Sequence, residues 1–259
     1  MIKNLKAKYL LSAILLITII SFFSCNQSFL NPIRLSNHKI SENSFLKNFY
    51  LPEIKNGSSI IRVFKIISKD KEDFQYIKYY FIESEDGNIL VTELYNSEKF
   101  LIEKSEQLIT ENEVKLIKIS SYYIDKNGSE LCFEANITND IIMKWVYEKD
   151  QSSILEYNID TYSINNNVTY NLHYYIQRNF SSFDRYGTDK KAYSVAIFND
   201  SVSSELIYNS GITVSKDYTD KHYFAENFGI IESLRYLDGE LIIQRKFVNE
   251  ISEKEFIDL

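Results

Sequence analysis

Glycine is scarce in this 259-residue chain: seven residues, scattered along its length. No cluster exists to cradle a phosphate, and there is no G-x-S-x-G nucleophile elbow. The three histidines, His38, His173 and His222, lie far apart, and neither H-E-x-x-H nor C-x-x-C occurs. These absences argue against the common metal and nucleophile sites. Only two cysteines are present, Cys25 and Cys132. Basic charge is in deficit, with 29 Lys and Arg against 36 Asp and Glu. That balance disfavours nucleic acid, whose binding rests on phosphate neutralisation, and a polybasic membrane-surface mode. It favours a soluble, self-repelling surface. There is also no apolar run long enough for a membrane-spanning helix, which needs about 20 residues.

What the chain does have begins at its start. Lys3, Lys6 and Lys8 precede an apolar stretch from Tyr9 to Phe23, interrupted by Ser12, Thr18 and Ser21. A basic head, a short apolar body and a small residue before a cleavage point make an export signal. Here the small residue is Ser24, directly before Cys25, which is the lipobox pattern. Residues 1–24 are therefore read as a lipoprotein signal peptide and Cys25 as the lipidation site. Two or three acyl chains on Cys25 would hold the chain to a membrane, at about 0.8 kcal/mol per buried methylene. The alternative is an ordinary secretory signal with an incidental Cys25. Ordinary cleavage sites favour small residues at two positions, and Phe22 is not small.

The Phe-rich, relaxed lipobox Ser24-Cys25-Asn26, together with an abundance of Ile, Asn, Lys, Tyr and Phe, resembles spirochaetal lipoproteins of the Borrelia type. The resemblance covers the leader and the compositional style. It implies a protein anchored to the outer membrane, at the cell surface or on the periplasmic face.

Once Cys25 carries lipid, Cys132 has no partner within the chain, so the domain must stand on its core without a disulfide. An inert, packed Cys132 is the expectation, with a reactive thiol as the alternative. Residues 25–40 are polar, contain Pro32 and read as a tether. Residues 41–259 read as a single β-rich domain. It opens with a short amphipathic helix over 41–50, where Ser41 caps Phe45, Leu46, Phe49 and Tyr50.

Beyond Pro52 and Gly57 the hydrophobic period becomes two. Leu131, Phe133, Ala135 and Ile137 share one face. So do Leu155, Tyr157 and Ile159, and likewise Val168, Tyr170, Leu172 and Tyr174. Alternation of this kind marks half-buried antiparallel strands. Turn signals at Glu85–Asn88, Asp125–Gly128, Thr138–Asp140, 165–167, Asn199-Asp200, 209–211 and Asp238-Gly239 divide the chain into roughly ten to twelve strands. The expected fold is mainly β: an antiparallel meander forming a strongly curved sheet, an open barrel or a sandwich, with one or two short helices. The Glu- and Lys-rich stretch 97–110 fits a helix or a strand, and the tail from Ser252 fits one helical turn or a frayed end. Residues 223–243 resemble the closing hairpins of β-rich bacterial lipoproteins. In them Gly229 would permit a bulge or a close approach, and Asp238-Gly239 suits a type I′ turn.

Two positions invite chemistry. Asp184 and Asp189 flank Gly187 in what reads as a long connection over 179–190, but without the dense acidic spacing of a calcium loop. Trp145, on a face with Ile141, Met143 and Tyr147, would anchor the core or stack on a ligand. No motif implies a cofactor or a metal. The expected function is that of a non-enzymatic binding module on the cell surface, contacting a host or neighbouring protein. The alternative is a periplasmic carrier or chaperone for a lipid or lipoprotein. A filled core is the default for interiors and supports the binding module; an apolar void supports the carrier.

Overall fold

A computed structural model describes residues 46–259, apart from 56, 70, 148–150, 164–167, 189–190 and 209–212. The leader, Cys25, the tether and residues 41–45 lie outside the described residues, as do the turns expected at 165–167 and 209–211. The chain forms thirteen strands: β1 (Ser59–Ser68), β2 (Lys71–Ser84), β3 (Gly87–Tyr95), β4 (Leu101–Ile109), β5 (Glu113–Ile124), β6 (Glu130–Glu134), β7 (Asn136–Lys144), β8 (Ser152–Ser163), β9 (Val168–Thr188), β10 (Lys191–Ile207), β11 (Thr213–Ala225), β12 (Gly229–Leu237) and β13 (Glu240–Ile251). Helices α1 (Lys47–Tyr50) and α2 (Glu253–Asp258) precede and follow them.

Almost every strand pairs antiparallel with its neighbour in sequence, as a meander requires. Two pairings go further. β1 pairs with β13, joining the two ends of the meander. β5 pairs with β7 through its first residues and with β6 through its last, so β6 splays from the ring as an extra strand. The result is a closed barrel of twelve strands. The sequence is compatible with a curved sheet, an open barrel and a sandwich; closure abolishes the free edges that the first two would expose.

Alternation gives the wall two faces. The outer face carries ion pairs such as Lys118–Glu134 at 2.7 Å, Lys104–Glu93 at 3.4 Å and Lys65–Glu72 at 2.7 Å. Charges in these numbers suit water, not the apolar band of a membrane-spanning barrel. Helix α2 docks on this face. Ser252 caps it in a capping box with Glu255, and Phe256 packs edge-on against Tyr76 and Tyr95, each at 5.2 Å. Of the two readings of the tail, the helical turn is the one it takes, and its cap contributes about 1 kcal/mol.

One end of the barrel is plugged. Helix α1 brings Leu46 and the fully buried Phe49 into a cluster with Phe64, Ile77, Leu90, Met143, Trp145, Phe198 and Phe224 from the inner wall. The segment is pinned to the β11–β12 turn by Asn227 N–H donating to Asn48 C=O at 2.5 Å and Glu53 N–H donating to Asn227 C=O at 3.0 Å. Trp145 is a core anchor, its indole N–H donating to Thr110 C=O at 2.9 Å. At Gly229, φ is +84°, and an added Cβ would meet Tyr50 C=O at 3.0 Å, so both the conformation and the close approach require glycine. Asp238 and Gly239 have φ of 52° and 81°, the two positive values of a type I′ turn.

Three expectations are corrected, and one open alternative is resolved. Of the two readings left open for the Glu/Lys-rich stretch, residues 101–109 take the strand, for a reason that the interior supplies below. Thr138–Asp140 lies within β7 and Asn199-Asp200 within β10, where Thr138 donates to Glu156 C=O, Asp140 pairs with Lys115 and Asp200 with Arg178. Residues 179–188 continue β9, so Asp184 sits on a strand and accepts a hydrogen bond from Arg185 N–H rather than lining a calcium loop; Asp189 lies outside the described residues. Cys132 is exposed on β6, not packed, because its side chain faces outward beside Tyr122.

Candidate ligand site inside the barrel

Cross-strand register carries specific side chains into the ring. Directly paired residues of antiparallel strands share a face, so one inner row runs Ser153, Arg178, Asp200, Asp220, Arg235 and Ile243 across β8 to β13. It contains two Arg–Asp pairs side by side. Arg178 donates to Asp200 at 2.9 and 2.6 Å, and Arg235 donates to Asp220 at 2.8 and 2.7 Å. A second inner row sets Ile137, Tyr157, Tyr174 and Ser204 together, with the two tyrosine rings 5.1 Å apart. A third sets Leu94, Glu103, Ser121 and Phe133 together. A fourth joins Ile66, Arg245, Ser233 and His222.

Near the plug this interior is tightly filled. Asp200 takes a further ion pair from His222 at 3.2 Å, and Tyr50 of the plug donates to Gln107 at 2.7 Å. Burial alone would raise the Asp200 carboxyl; the charges of Arg178 and His222 overcome it and hold Asp200 far below the carboxylate range. His222 Nδ1 is buried with no hydrogen-bond partner among the described residues. This cluster ties β9, β10 and β11 together beneath the plug.

Beyond it the ring opens. Glu103, Tyr123, Tyr174, Arg235 and Arg245 face inward, yet each retains accessible surface. Desolvation is nonetheless the largest influence on all of them. It raises the Glu103 carboxyl, with Arg245 opposing. It lowers the Arg245 guanidinium, with Tyr79 and Glu103 opposing. We read this combination, shielding from bulk solvent with accessible surface retained on inward-facing side chains, as the lining of a hollow. Twelve strands leave room for one on size alone, since about eight leave an interior that side chains just fill. Packed core fills the plugged end, and a second buried cluster with Leu116, Ile159, Leu172 and Leu206 lies on the inner face of β5 to β10.

The hollow has two unlike walls. β5 to β9 contribute Ile119, Leu155, Ile159, Leu172 and Ile176, with Phe133 of β6, in an apolar cluster. β4 and β11 to β13 contribute Glu103, Asp220, Arg235 and Arg245. Charges on the polar wall reach across: Glu103 and Arg235 both act on Tyr157 and Tyr174. Arg235 is matched by Asp220. Arg245 makes no hydrogen bond or ion pair with a described residue. Among the described residues no group of three His, Cys, Asp or Glu side chains is placed to hold a metal ion.

A separate open groove of about 480 Å³ lies on the outer face. Its floor is Ser201, Ser203 and Thr219, with Tyr175 and Tyr236 on either side and Asp217 beside them. Of the sites named from sequence, Trp145 belongs to the plugged core and His173 to an outer ion pair with Glu156 at 3.1 Å, while Cys25 lies outside the described residues. The hollow draws on residues that no local motif marks. The register of strands far apart in sequence assembles it.

No protein-family model matches the sequence, and no curated protein matches it at a significant level. Three solved structures align with the chain. A Parabacteroides distasonis protein described as a lipoprotein superposes with a TM-score of 0.47 at 10% identity, over 79% of this chain and 99% of that one. The Escherichia coli protein YmcC, also described as a lipoprotein, gives 0.34 at 11% identity over 83% and 99%. A Bacteroides fragilis protein described as exported, with a YmcC-like fold, gives 0.50 at 12% identity over 79% of this chain and 100% of that one, so the barrel is similar to the YmcC-like fold.

Proposed function

We propose that the mature chain is a lipid-anchored, exported binding protein whose barrel holds a small ligand, and that it acts by binding and not by catalysis. The hollow carries this reading: a closed ring, plugged at one end, with an apolar wall facing a polar one. Such two-sided concave sites are typical of small-molecule binding. The leader and Cys25 supply the export and the anchor, and their spirochaetal style supports an anchor in an outer membrane. A protein of similar fold is described as exported. The carrier reading gains over the surface module because an interior site needs no macromolecular partner.

Native mass spectrometry tests it. The ring and both helices lie within residues 46–259, so a chain beginning at Asn26 keeps the whole barrel. Gently purified, it should show a bound small molecule that is lost on unfolding. Bare protein mass under the gentlest conditions, with no lipid taken up on incubation with bacterial lipid extract, would overturn the reading. The outer groove between Tyr175 and Tyr236 favours a second reading, docking of a host or neighbouring protein at the cell surface. Protease shaving of intact cells separates the compartments, since only a surface-exposed chain is cut.

A further inference from the structure

We infer that the hollow takes an anionic amphiphile, with its carboxylate or phosphate head on Arg245 and its hydrocarbon body against the β5–β9 wall. The inference rests on the proposed small-ligand reading and adds the chemistry of the ligand.

The head group follows from the charge balance inside the ring. Arg235 and Asp220 satisfy one another through two short hydrogen bonds. Arg178 and Asp200 do the same nearer the plug, with His222 on the second side of Asp200. Arg245 is left with its register neighbours Ile66 and Ser233, neither of which carries charge. Glu103, the carboxylate with the largest pull on it, stands four strands away round the ring on β4, without an ion pair to it. A desolvated guanidinium with accessible surface and no carboxylate in contact is a receptor for an oxyanion, because it offers a planar fork of donors that suits carboxylate and phosphate. Tyr157 and Tyr174 add hydroxyls on the facing wall, in the field of Arg235 and Glu103.

The body follows from the facing wall. Leu155, Ile176, Ile137 and Phe133 face inward and remain only partly buried, although each belongs to the apolar cluster. Partly buried aliphatic groups inside a closed ring have space against them that hydrocarbon would fill and water would not favour. A small polar anion would satisfy Arg245 and leave this wall uncovered. An uncharged lipid would cover the wall and leave Arg245 unpaired. An amphiphile does both.

Titration calorimetry on the chain beginning at Asn26 tests this with dodecanoate and dodecyl phosphate, held below their micelle-forming concentrations. Dodecanol and dodecyltrimethylammonium serve as uncharged and cationic counterparts, and acetate and inorganic phosphate as heads without a tail. The anionic amphiphiles should bind one per chain, roughly tenfold or more tighter than dodecanol. Acetate, phosphate and the cationic amphiphile should bind negligibly. Arg245→Leu should remove the preference for the anionic head while dodecanol binding is kept, and Arg245→Lys should restore part of it. Ala135→Trp, which adds bulk to the apolar wall, should weaken all the amphiphiles together. Equal binding of dodecanoate and dodecanol to the unaltered chain, or dodecanoate binding unchanged in Arg245→Leu, would refute the inference. The unaltered chain decides by itself if a variant fails to fold. A bound molecule in native mass spectrometry with no head-group preference leaves the small-ligand reading standing and sinks this one. Bare protein together with no binding of any amphiphile sinks both.

Discussion

Arg178 on β9 grips Asp200 on β10 from directly across the sheet, in a bidentate pair closed on its other side by His222. The pair is nearly solvent-free, so its two members depend on each other. Removing one carboxylate leaves a buried cation without compensation, a loss of roughly 3–5 kcal/mol. Asp200→Asn should therefore unfold at markedly lower urea than the unaltered chain at neutral pH.

The same pair gives an acid limb to the stability profile. Burial acts to raise Asp200, but Arg178 and His222 hold it far below its ordinary value. A carboxyl depressed in the folded state contributes stability above its unfolded pKa, about 3.9, and loses it as pH falls through the folded value. Unfolding free energy should drop below about pH 4 in the unaltered chain. Asp200→Asn should be flatter there. Parallel acid limbs for both proteins would contradict the assignment.

Glu103 predicts the opposite slope. Burial raises its carboxyl, against the pull of Arg245, and the groups facing it across the hollow are Tyr123, Tyr157 and Tyr174. A raised carboxyl contributes stability that is complete below the unfolded value, about 4.3, and is lost as pH rises through the folded one. Glu103→Gln keeps the neutral form at every pH. Its melting temperature relative to the unaltered chain should therefore rise from pH 4 to pH 7. A constant difference across that range would show that Glu103 ionises as an ordinary surface carboxyl.

Much of this wall is legible in the residues alone. Val168 to Tyr174, Leu131 to Ile137 and Leu155 to Ile159 alternate onto the faces their periodicity assigns, and Gly229 and Asp238-Gly239 take the conformations their residue types favour. The failures have one physical origin. Strand β4 presents Glu103, Ser105 and Gln107 inward and Lys104 and Glu106 outward, because its inner face meets polar partners and a hollow and not a dry core. With both faces polar, the period-two signal vanishes and helix propensity fills the gap. Asn199-Asp200 misleads in the same way: a turn-like pair sits mid-strand, where Arg178 of the neighbouring strand satisfies Asp200. The candidate site is illegible for that reason, since Glu103, Arg235 and Arg245 come to one interior only through the register of a ring closed by β1 and β13. Ser252-Glu-Lys-Glu255 does carry a readable signal, the S-x-x-E capping box, from which the terminal helix follows.

The proposed lipid anchor rests on the reading of Cys25 as the acylated residue. Cys25→Ala should abolish acylation, and metabolic labelling with a radiolabelled fatty acid reads this directly. The barrel lies C-terminal to the anchor, so the folded domain should survive in the unlabelled protein. Label retained on the Ala variant would mean that attachment occurs elsewhere.

Two glycines with the same backbone conformation separate strain from crowding. Gly128 has φ of +82° with nothing within 4 Å of the place a methyl group would take, while Gly229 has φ of +84° with Tyr50 C=O at 3.0 Å from that place. Putting an L side chain in the left-handed region costs about 1–2 kcal/mol by itself, so Gly128→Ala should lose about that much. Gly229→Ala must lose more, because the backbone carbonyl it meets belongs to the plug and is held by the Asn227–Asn48 and Glu53–Asn227 hydrogen bonds. The displaced element carries Phe49, which is fully buried against Phe183 at 5.2 Å. The loss at Gly229 should therefore appear both as lower global stability and as faster amide exchange at the Asn227 and Glu53 N–H groups, where Gly128→Ala leaves exchange unchanged. Equal destabilisation by the two substitutions would show that the plug yields without cost and that α1 is not held in the mouth of the barrel.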